Sequence, residues 1–149
     1  MGFTVRAAEH TGFTVRDLDQ AVRLFTEALG FRELRRAHMA GEFAAQVTGV
    51  PGAEIAMAVV EAPGHRIELL QYLSPARHGQ APPRPNDPGA AHLAFEVDDL
   101  DAVLAAVEPF GWRPPGSPQV MATGPRAGTR FVYVQDQDGT TLELIQPPA

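Results

Sequence analysis

Apolar and polar residues alternate in two short stretches that lie far apart in the chain. In HTGFTV (10–15), Phe13 and Val15 alternate with polar or small residues, and HLAFEV (92–97) repeats the pattern. Alternation of period two predicts a β-strand with one apolar face. Apolar residues at helical spacing follow each stretch and predict an amphipathic helix. These are Leu18, Val22, Phe25 and Leu29 in the first half, and Leu100, Val103, Leu104 and Val107 in the second.

Helix-terminating residues bracket both predicted helices. Asp17 and Asp99 precede the first apolar residue, where a short polar side chain caps a helix, and Gln20 is spaced from Asp17 as in a capping box. Gly30 lies just past the first helix, a position that favours glycine. Pro109 is expected to end the second helix early.

Further strands are predicted after each helix. In the first half they cover Arg32–His38, Ala53–Val60 and Arg66–Leu73. In the second half only Arg130–Gln135 and Thr140–Gln146 stand out, joined by a turn at Asp138–Gly139. Pro114–Gly128 is predicted to be a loop. The element order is β-α-β-β-β, which we expect to occur twice.

The two halves also repeat in sequence. HTGFTVRDLD (10–19) corresponds to HLAFEVDDLD (92–101), and RIELLQ (66–71) corresponds to TLELIQ (141–146). Matched blocks in the same order indicate a duplicated module. We predict one domain, 1–149, with module one at about 6–73, a proline-rich linker at 74–91 and module two at 92–147.

Composition restricts the partners and the possible metal ligands. The 149-residue chain is 44% hydrophobic and carries a net charge of −6, which argues against nucleic acid or an anionic membrane as partner. The basic cluster Arg32, Arg35 and Arg36 is interpreted as a solvated helix end and strand edge. With no cysteine, a metal would need His and carboxylate ligands. No apolar run suits a membrane span or secretory signal, so we expect a cytoplasmic protein.

Strand parity selects four residues as candidate ligands. The side chain of Glu68 points to the other face of its strand from Ile67 and Leu69, and Glu143 points to the other face from Leu142 and Leu144. Each glutamate is therefore on the face away from the helix. His10 and His92 start the first strand of each module on that same face. Two imidazoles and two carboxylates suit a borderline divalent cation, so His10, Glu68, His92 and Glu143 form the predicted metal site.

Other polar residues are assigned by position. Thr14, Tyr72, Glu96 and Tyr133 share the open face and are candidate substrate-pocket residues, and Arg126 could meet an anionic substrate group, although a solvated loop arginine is favoured. His38, His65 and His78 do not repeat between halves. His65 and His78 are predicted to be exposed loop residues.

These motifs resemble the vicinal oxygen chelate superfamily, which includes glyoxalase I, methylmalonyl-CoA epimerase, extradiol dioxygenases, and fosfomycin and bleomycin resistance proteins. The resemblance rests on H-x-x-F-x-V-x-D-L-D at the start of each half, on the (I/L)-E-L strand ends and on the closing D-x-D-G-x-x-L-E-L. It implies an α+β fold in which two tandem βαβββ modules form a cupped, mixed eight-stranded sheet with the helices outside.

The resemblance also implies a chemistry. The set His10, Glu68, His92 and Glu143 is similar to that of bacterial glyoxalase I, with one divalent ion (Zn, Ni, Co, Mn or Fe(II)) per site. It implies a lyase or isomerase acting on a small carbonyl or thioester substrate through a metal-stabilised enediolate and proton transfer. Glu143 or Glu68 would be the catalytic base, with Glu143 preferred by analogy.

Two alternatives stay open. An iron-dependent extradiol-type dioxygenase uses two histidines and one carboxylate, so Glu68 would be an extra ligand. A non-catalytic drug- or metabolite-binding resistance protein would use the same cup without metal. We also expect a homodimer, with the modules paired either within one chain or between two chains.

Overall fold

The computed structural model describes residues 2–77 and 79–149. The prediction made for His78 lies outside the described residues. The strands are β1 (Thr11–Thr14), β2 (Arg32–Met39), β3 (Glu54–Ala62), β4 (His65–Ser74), β5 (His92–Glu96), β6 (Gln119–Val120), β7 (Arg130–Gln135) and β8 (Thr141–Gln146). The helices are α1 (Leu18–Arg23), α2 (Gly41–Thr48) and α3 (Leu100–Val107). A π-helical segment, Leu24–Ala28, follows α1, and a 3₁₀ turn, Glu108–Phe110, follows α3.

Two four-stranded mixed sheets carry the fold, in the orders β1-β4-β3-β2 and β5-β8-β7-β6. In each sheet the first strand of the module pairs parallel with the last, and the other pairs are antiparallel. This is the α+β arrangement of two βαβββ modules that the sequence predicts. The described chain forms two compact units: one comprises the chain up to Val22 and Phe31–Ala76, the other Arg23–Gly30 and Arg77–Ala149.

Side chains of the last strand in each module alternate between a buried and a more exposed face, as the sequence pattern predicts. Ile67 and Leu69 of β4 are fully buried, as are Leu142 and Leu144 of β8 apart from a trace of exposure. Glu68 and Glu143 alternate with them and are partly exposed. Because alternate side chains of a strand point to opposite faces, each sheet has a buried apolar face and a second face that carries its glutamate.

Both predicted N-caps are present. The Asp17 carboxylate accepts a hydrogen bond from the Gln20 amide at 3.0 Å, and Asp99 accepts one from the Ala102 amide at 2.9 Å. α3 ends at Val107, immediately before the turn that contains Pro109, as expected.

A glutamine from the last strand of each module supplements these caps. The Gln71 side-chain oxygen accepts a hydrogen bond from the Leu18 amide at 2.8 Å, and Gln146 does the same for the Leu100 amide at 2.9 Å. The first amides of a helix have no partner within the helix. The glutamine therefore ties the start of each helix to the strand that carries the glutamate.

Two elements were not predicted from the sequence. The stretch between β2 and β3 contains α2, whose Ala44 packs into a buried cluster with Ala53 and Ile55. The predicted loop Pro114–Gly128 contains β6, which pairs with β7 and completes the second βαβββ module. No helix in the described part of the chain is long and apolar enough to cross a membrane.

Replacing Gln71 with alanine should leave the Leu18 amide without its acceptor in a partly buried position. We expect the free energy of unfolding to fall by about 1–2 kcal/mol, measured by urea denaturation followed by circular dichroism. Gln119→Ala is the control, because the side-chain amide of Gln119 donates to Ser117 and Pro118 on the exposed surface. Equal stabilities for the two variants would contradict the capping role.

Candidate metal-binding and catalytic site

The first candidate ligand pair is formed by His10, just before β1, and Glu68 in β4. The Nε2 atom of His10 lies 3.7 Å from Oε1 of Glu68. In the parallel pairing of β1 with β4, Gly12 lies opposite Glu68, so His10 stands two residues away along the same face. A long side chain can reach a diagonal neighbour of this kind across two strands.

The second module reproduces this geometry. His92 is the first residue of β5, and its Nε2 atom lies 3.2 Å from Oε2 of Glu143 in β8. Ala94 lies opposite Glu143, so the histidine again stands two residues before the partner of the glutamate. The register of the pair is therefore the same in both units.

A small residue opposite each glutamate leaves room for the imidazole. Gly12 has no side chain, and a Cβ added there would meet Leu70 at 3.5 Å. Ala94 has only a methyl group. Because directly opposed residues of paired strands have close side chains, a larger residue at either position would compete with the carboxylate and imidazole for space.

Each histidine is held at its other ring nitrogen by a different residue. Nδ1 of His10 contacts the carboxylate of Glu9, and Glu9 also accepts a hydrogen bond from Arg66 at 3.3 Å. The hydrogen bond with His10, reinforced by Arg66, holds the pKa of Glu9 below its ordinary value. Nδ1 of His92 lies 3.3 Å from the hydroxyl of Tyr133, and the two rings are in contact, tilted by 40° with their centroids 4.7 Å apart. In both units the outer partner turns Nε2 towards the glutamate.

The donor atoms within each pair fit a shared divalent cation. Two ligand atoms bound at about 2.1 Å to one ion are roughly 3.0–3.4 Å apart at tetrahedral or octahedral angles. The separations of 3.2 and 3.7 Å are close to this range. An outer partner on the second ring nitrogen is also the usual arrangement for a metal-bound histidine.

The structure shows these donors as pairs. Among residues 2–77 and 79–149, no three or more His, Asp or Glu side chains are grouped so that they could hold a metal ion. Each unit by itself therefore supplies one imidazole and one carboxylate.

A cavity of about 190 Å³ opens beside the first pair. α2 lies on the same face of this sheet, because its Ala44 packs with Ile55, and Leu70 and Tyr72 pack against that cluster. The cluster lies beside Leu70 and Tyr72, after Glu68 along β4. The cavity lies beside Glu68 itself and Arg66, nearer the start of β4. Its lining residues are Glu9, His10, Leu34, Arg35, Val59, Arg66 and Glu68.

The predicted substrate-pocket residues lie in different surroundings. Thr14 is exposed at the end of β1, and Glu96 is exposed at the end of β5. Tyr72 packs against the apolar cluster under α2, and Tyr133 contacts His92. Arg126 is exposed, with its guanidinium 4.7 Å above the ring of Phe131.

The prediction that His65 is an exposed loop residue is wrong. His65 begins β4, and its Nε2 atom is 2.8 Å from the hydroxyl of Thr11. The APGHR turn ends one residue earlier than expected, because β3 and β4 continue pairing as far as Ala62 and His65.

Glu9 and Arg35 were not predicted to be site residues from the sequence. Glu9 precedes His10 directly and has no counterpart in the second half, where Ala91 precedes His92. The repeat therefore gave no signal for it. Arg35 was included in a solvated basic cluster. That interpretation holds for Arg32 and Arg36, which pair with exposed carboxylates.

Residues 7–144 match the family model of the Glyoxalase/Bleomycin resistance protein/Dioxygenase superfamily. A 2-epi-5-epi-valiolone epimerase from Actinomyces sp. is 39% identical over 96% of this chain and 80% of its own length. A probable lactoylglutathione lyase from Vibrio parahaemolyticus is 29% identical over 92% of this chain and 88% of its own.

A solved structure shows the same fold. The crystal structure of a glyoxalase family protein from Bacillus cereus superposes with a TM-score of 0.83 at 24% sequence identity, covering 99% of this chain and 98% of that one. The matched family model spans nearly the whole chain, from just before the first candidate histidine to just after the last candidate glutamate. The chain therefore belongs to the glyoxalase/bleomycin resistance protein/dioxygenase superfamily.

Proposed function

We propose that the protein is a metal-dependent isomerase or lyase that moves a proton at a carbon next to a carbonyl group. His10, Glu68, His92 and Glu143 would together bind one divalent cation. The observation that carries this proposal is the recurrence of one histidine–glutamate pair at the same register in both modules, with Nε2 facing the carboxylate each time. Relatives named as an epimerase and as a probable lyase support the reaction class.

A four-ligand site requires the two pairs to face each other, either within one chain or between two copies of it in a homodimer. Zinc, nickel, cobalt, manganese and iron(II) all accept imidazole and carboxylate ligands. When bound, such a cation would polarise substrate oxygens and make the neighbouring C–H more acidic. The ligands would also leave coordination positions open for the substrate.

The protein's own residues would position the substrate and carry the proton. Glu9 and Tyr133 hold the two histidines in orientation. We assign the proton transfer to Glu143, which lies directly opposite Tyr133 in the neighbouring strand. Glu68 instead lines the cavity that contains two arginines, an arrangement suited to holding substrate. A positioned carboxylate can both remove and return a proton, as an isomerisation requires.

Replacing Glu143 with glutamine should preserve metal binding and remove the proton carrier. We expect the rate of C–H exchange to fall by about 10²–10⁴-fold, while the bound metal stays above half of the wild-type content. Exchange would be followed by proton NMR in D₂O, beginning with the compounds in the relatives' names, 2-epi-5-epi-valiolone and lactoylglutathione. Metal content would be measured by mass spectrometry.

The matched control for this experiment is Glu42→Gln on the exposed surface of α2. It should exchange at the wild-type rate. Full activity of Glu143→Gln would exclude Glu143 as the proton carrier. A wild-type protein that binds no divalent cation would refute the metal-dependent mechanism itself.

The residues that contact Nδ1 of the two histidines should strengthen metal binding. Glu9→Ala removes the acceptor at Nδ1 of His10, so we expect the cation to bind about 10- to 100-fold more weakly. Tyr133→Phe should weaken binding in the same direction through His92. Affinities would be measured by competition with a chromophoric chelator. Glu27→Ala is the control, because Glu27 is exposed and pairs with Arg23 in the helical segment after β1. An unchanged affinity in Glu9→Ala would show that Glu9 does not orient a ligand.

A further inference from the structure

A β-bulge in β2 sets the direction of Arg35. Glu33 pairs with Val60 and Arg35 pairs with Val59, so Leu34 is an extra residue without its own partner in β3. A bulge of this kind changes which face the following side chains occupy. In unbroken alternation Leu34 would pair with Val59, and Arg35 would point to the face covered by α1. With the bulge, Leu34 and Arg35 both line the cavity.

The charges around the cavity leave one arginine without a carboxylate partner. Arg66 bonds to Glu9. Arg32 pairs with Glu61, and Arg36 pairs with Glu33 and Asp19. Arg35 has no ion pair with any of the residues that the structure describes, although it lies on the same strand as Arg32 and Arg36.

Arg35 also lies in line with the candidate metal ligand. Arg35 pairs with Val59, and Val59 pairs with Glu68, so the three residues form one row across the sheet. Neighbouring strands are about 4.8 Å apart, which places the backbones of Arg35 and Glu68 roughly 10 Å apart. Val59, only 6% exposed, lies between them.

This row offers a substrate two polar ends and an apolar middle. Oxygens at one end would approach the cation at Glu68, and a carbon chain of a few atoms would cross Val59 and Leu34. The guanidinium at the other end presents a planar fork of N–H donors that matches the oxygens of a carboxylate or phosphate.

We propose that Arg35 is a specificity-determining residue that binds an anionic oxygen group, a carboxylate or a phosphate, on the substrate. This inference rests on the proposed function, since it supposes that the other end of the substrate meets the cation. It predicts that the substrate is a small hydroxy ketone or related carbonyl compound that carries a negative charge a few carbon atoms from its chelating oxygens.

Three matched compounds test the inference: dihydroxyacetone, dihydroxyacetone phosphate and 5-hydroxy-4-oxopentanoate. All three offer a hydroxy ketone to the cation, and they differ in carrying no anion, a phosphate or a carboxylate. Their dissociation constants for the cobalt-loaded protein would be measured by isothermal titration calorimetry. We expect at least one anionic compound to bind wild-type protein more than tenfold tighter than dihydroxyacetone, and the stronger of the two identifies the anion.

Arg35→Gln should abolish this preference and leave dihydroxyacetone binding and cobalt affinity unchanged. Arg35→Lys should retain only part of the preference, because it keeps the charge and loses the fork. Arg32→Gln, on the same strand and paired with Glu61, should keep the preference in full. No preference in wild type, or a preference that survives in Arg35→Gln, would overturn the proposal.

Failure of the proposed function would appear separately, as a wild-type protein that binds no cobalt. The same three compounds would then be titrated into the metal-free protein. Loss of the anion preference in Arg35→Gln would still support the role of Arg35, and an absent preference would overturn it.

Discussion

The parallel pairing of the first strand of each module with its last strand is the constraint on which the rest depends. It places Gly12 opposite Glu68 and Ala94 opposite Glu143, so that a histidine two residues earlier reaches the carboxylate. A shift of one residue would turn every side chain of the strand to the other face. That shift is opposed because the alternate residues are buried and because a glutamine on the last strand caps the helix of the same module.

Much of this arrangement could be predicted because the same pattern of residues occurs in both halves of the sequence. Alternation in HTGFTV and HLAFEV predicts the strands, and the same alternation in the last strands places both glutamates away from the buried face. Because the two halves repeat, the four candidate ligands are one histidine–glutamate pair that occurs in both modules. The strand bounds agree with the prediction to within about two residues, as expected when a boundary depends on the last hydrogen bond of a ladder.

What could not be predicted is what differs between the modules. The large apolar residues of α2 do not mark its buried face, because Phe43 and Val47 are 66% and 68% exposed and only Ala44 is buried. β6 is two residues long within a segment rich in proline and glycine. The bulge before Arg35 depends on pairing with β3 and cannot be read from a single strand. These differences give the first pair a charged cavity, whereas an aromatic hydroxyl holds the histidine of the second pair.

Anomalous diffraction from crystals of the cobalt-loaded protein, collected on both sides of the cobalt absorption edge, tests whether the two pairs bind one cation between them, as we propose. We expect one strong anomalous peak per site, about 2.1 Å from donor atoms of His10, Glu68, His92 and Glu143, whether these come from one chain or from two. A peak bound by a single histidine–glutamate pair, or one that lies elsewhere in the protein, would contradict it.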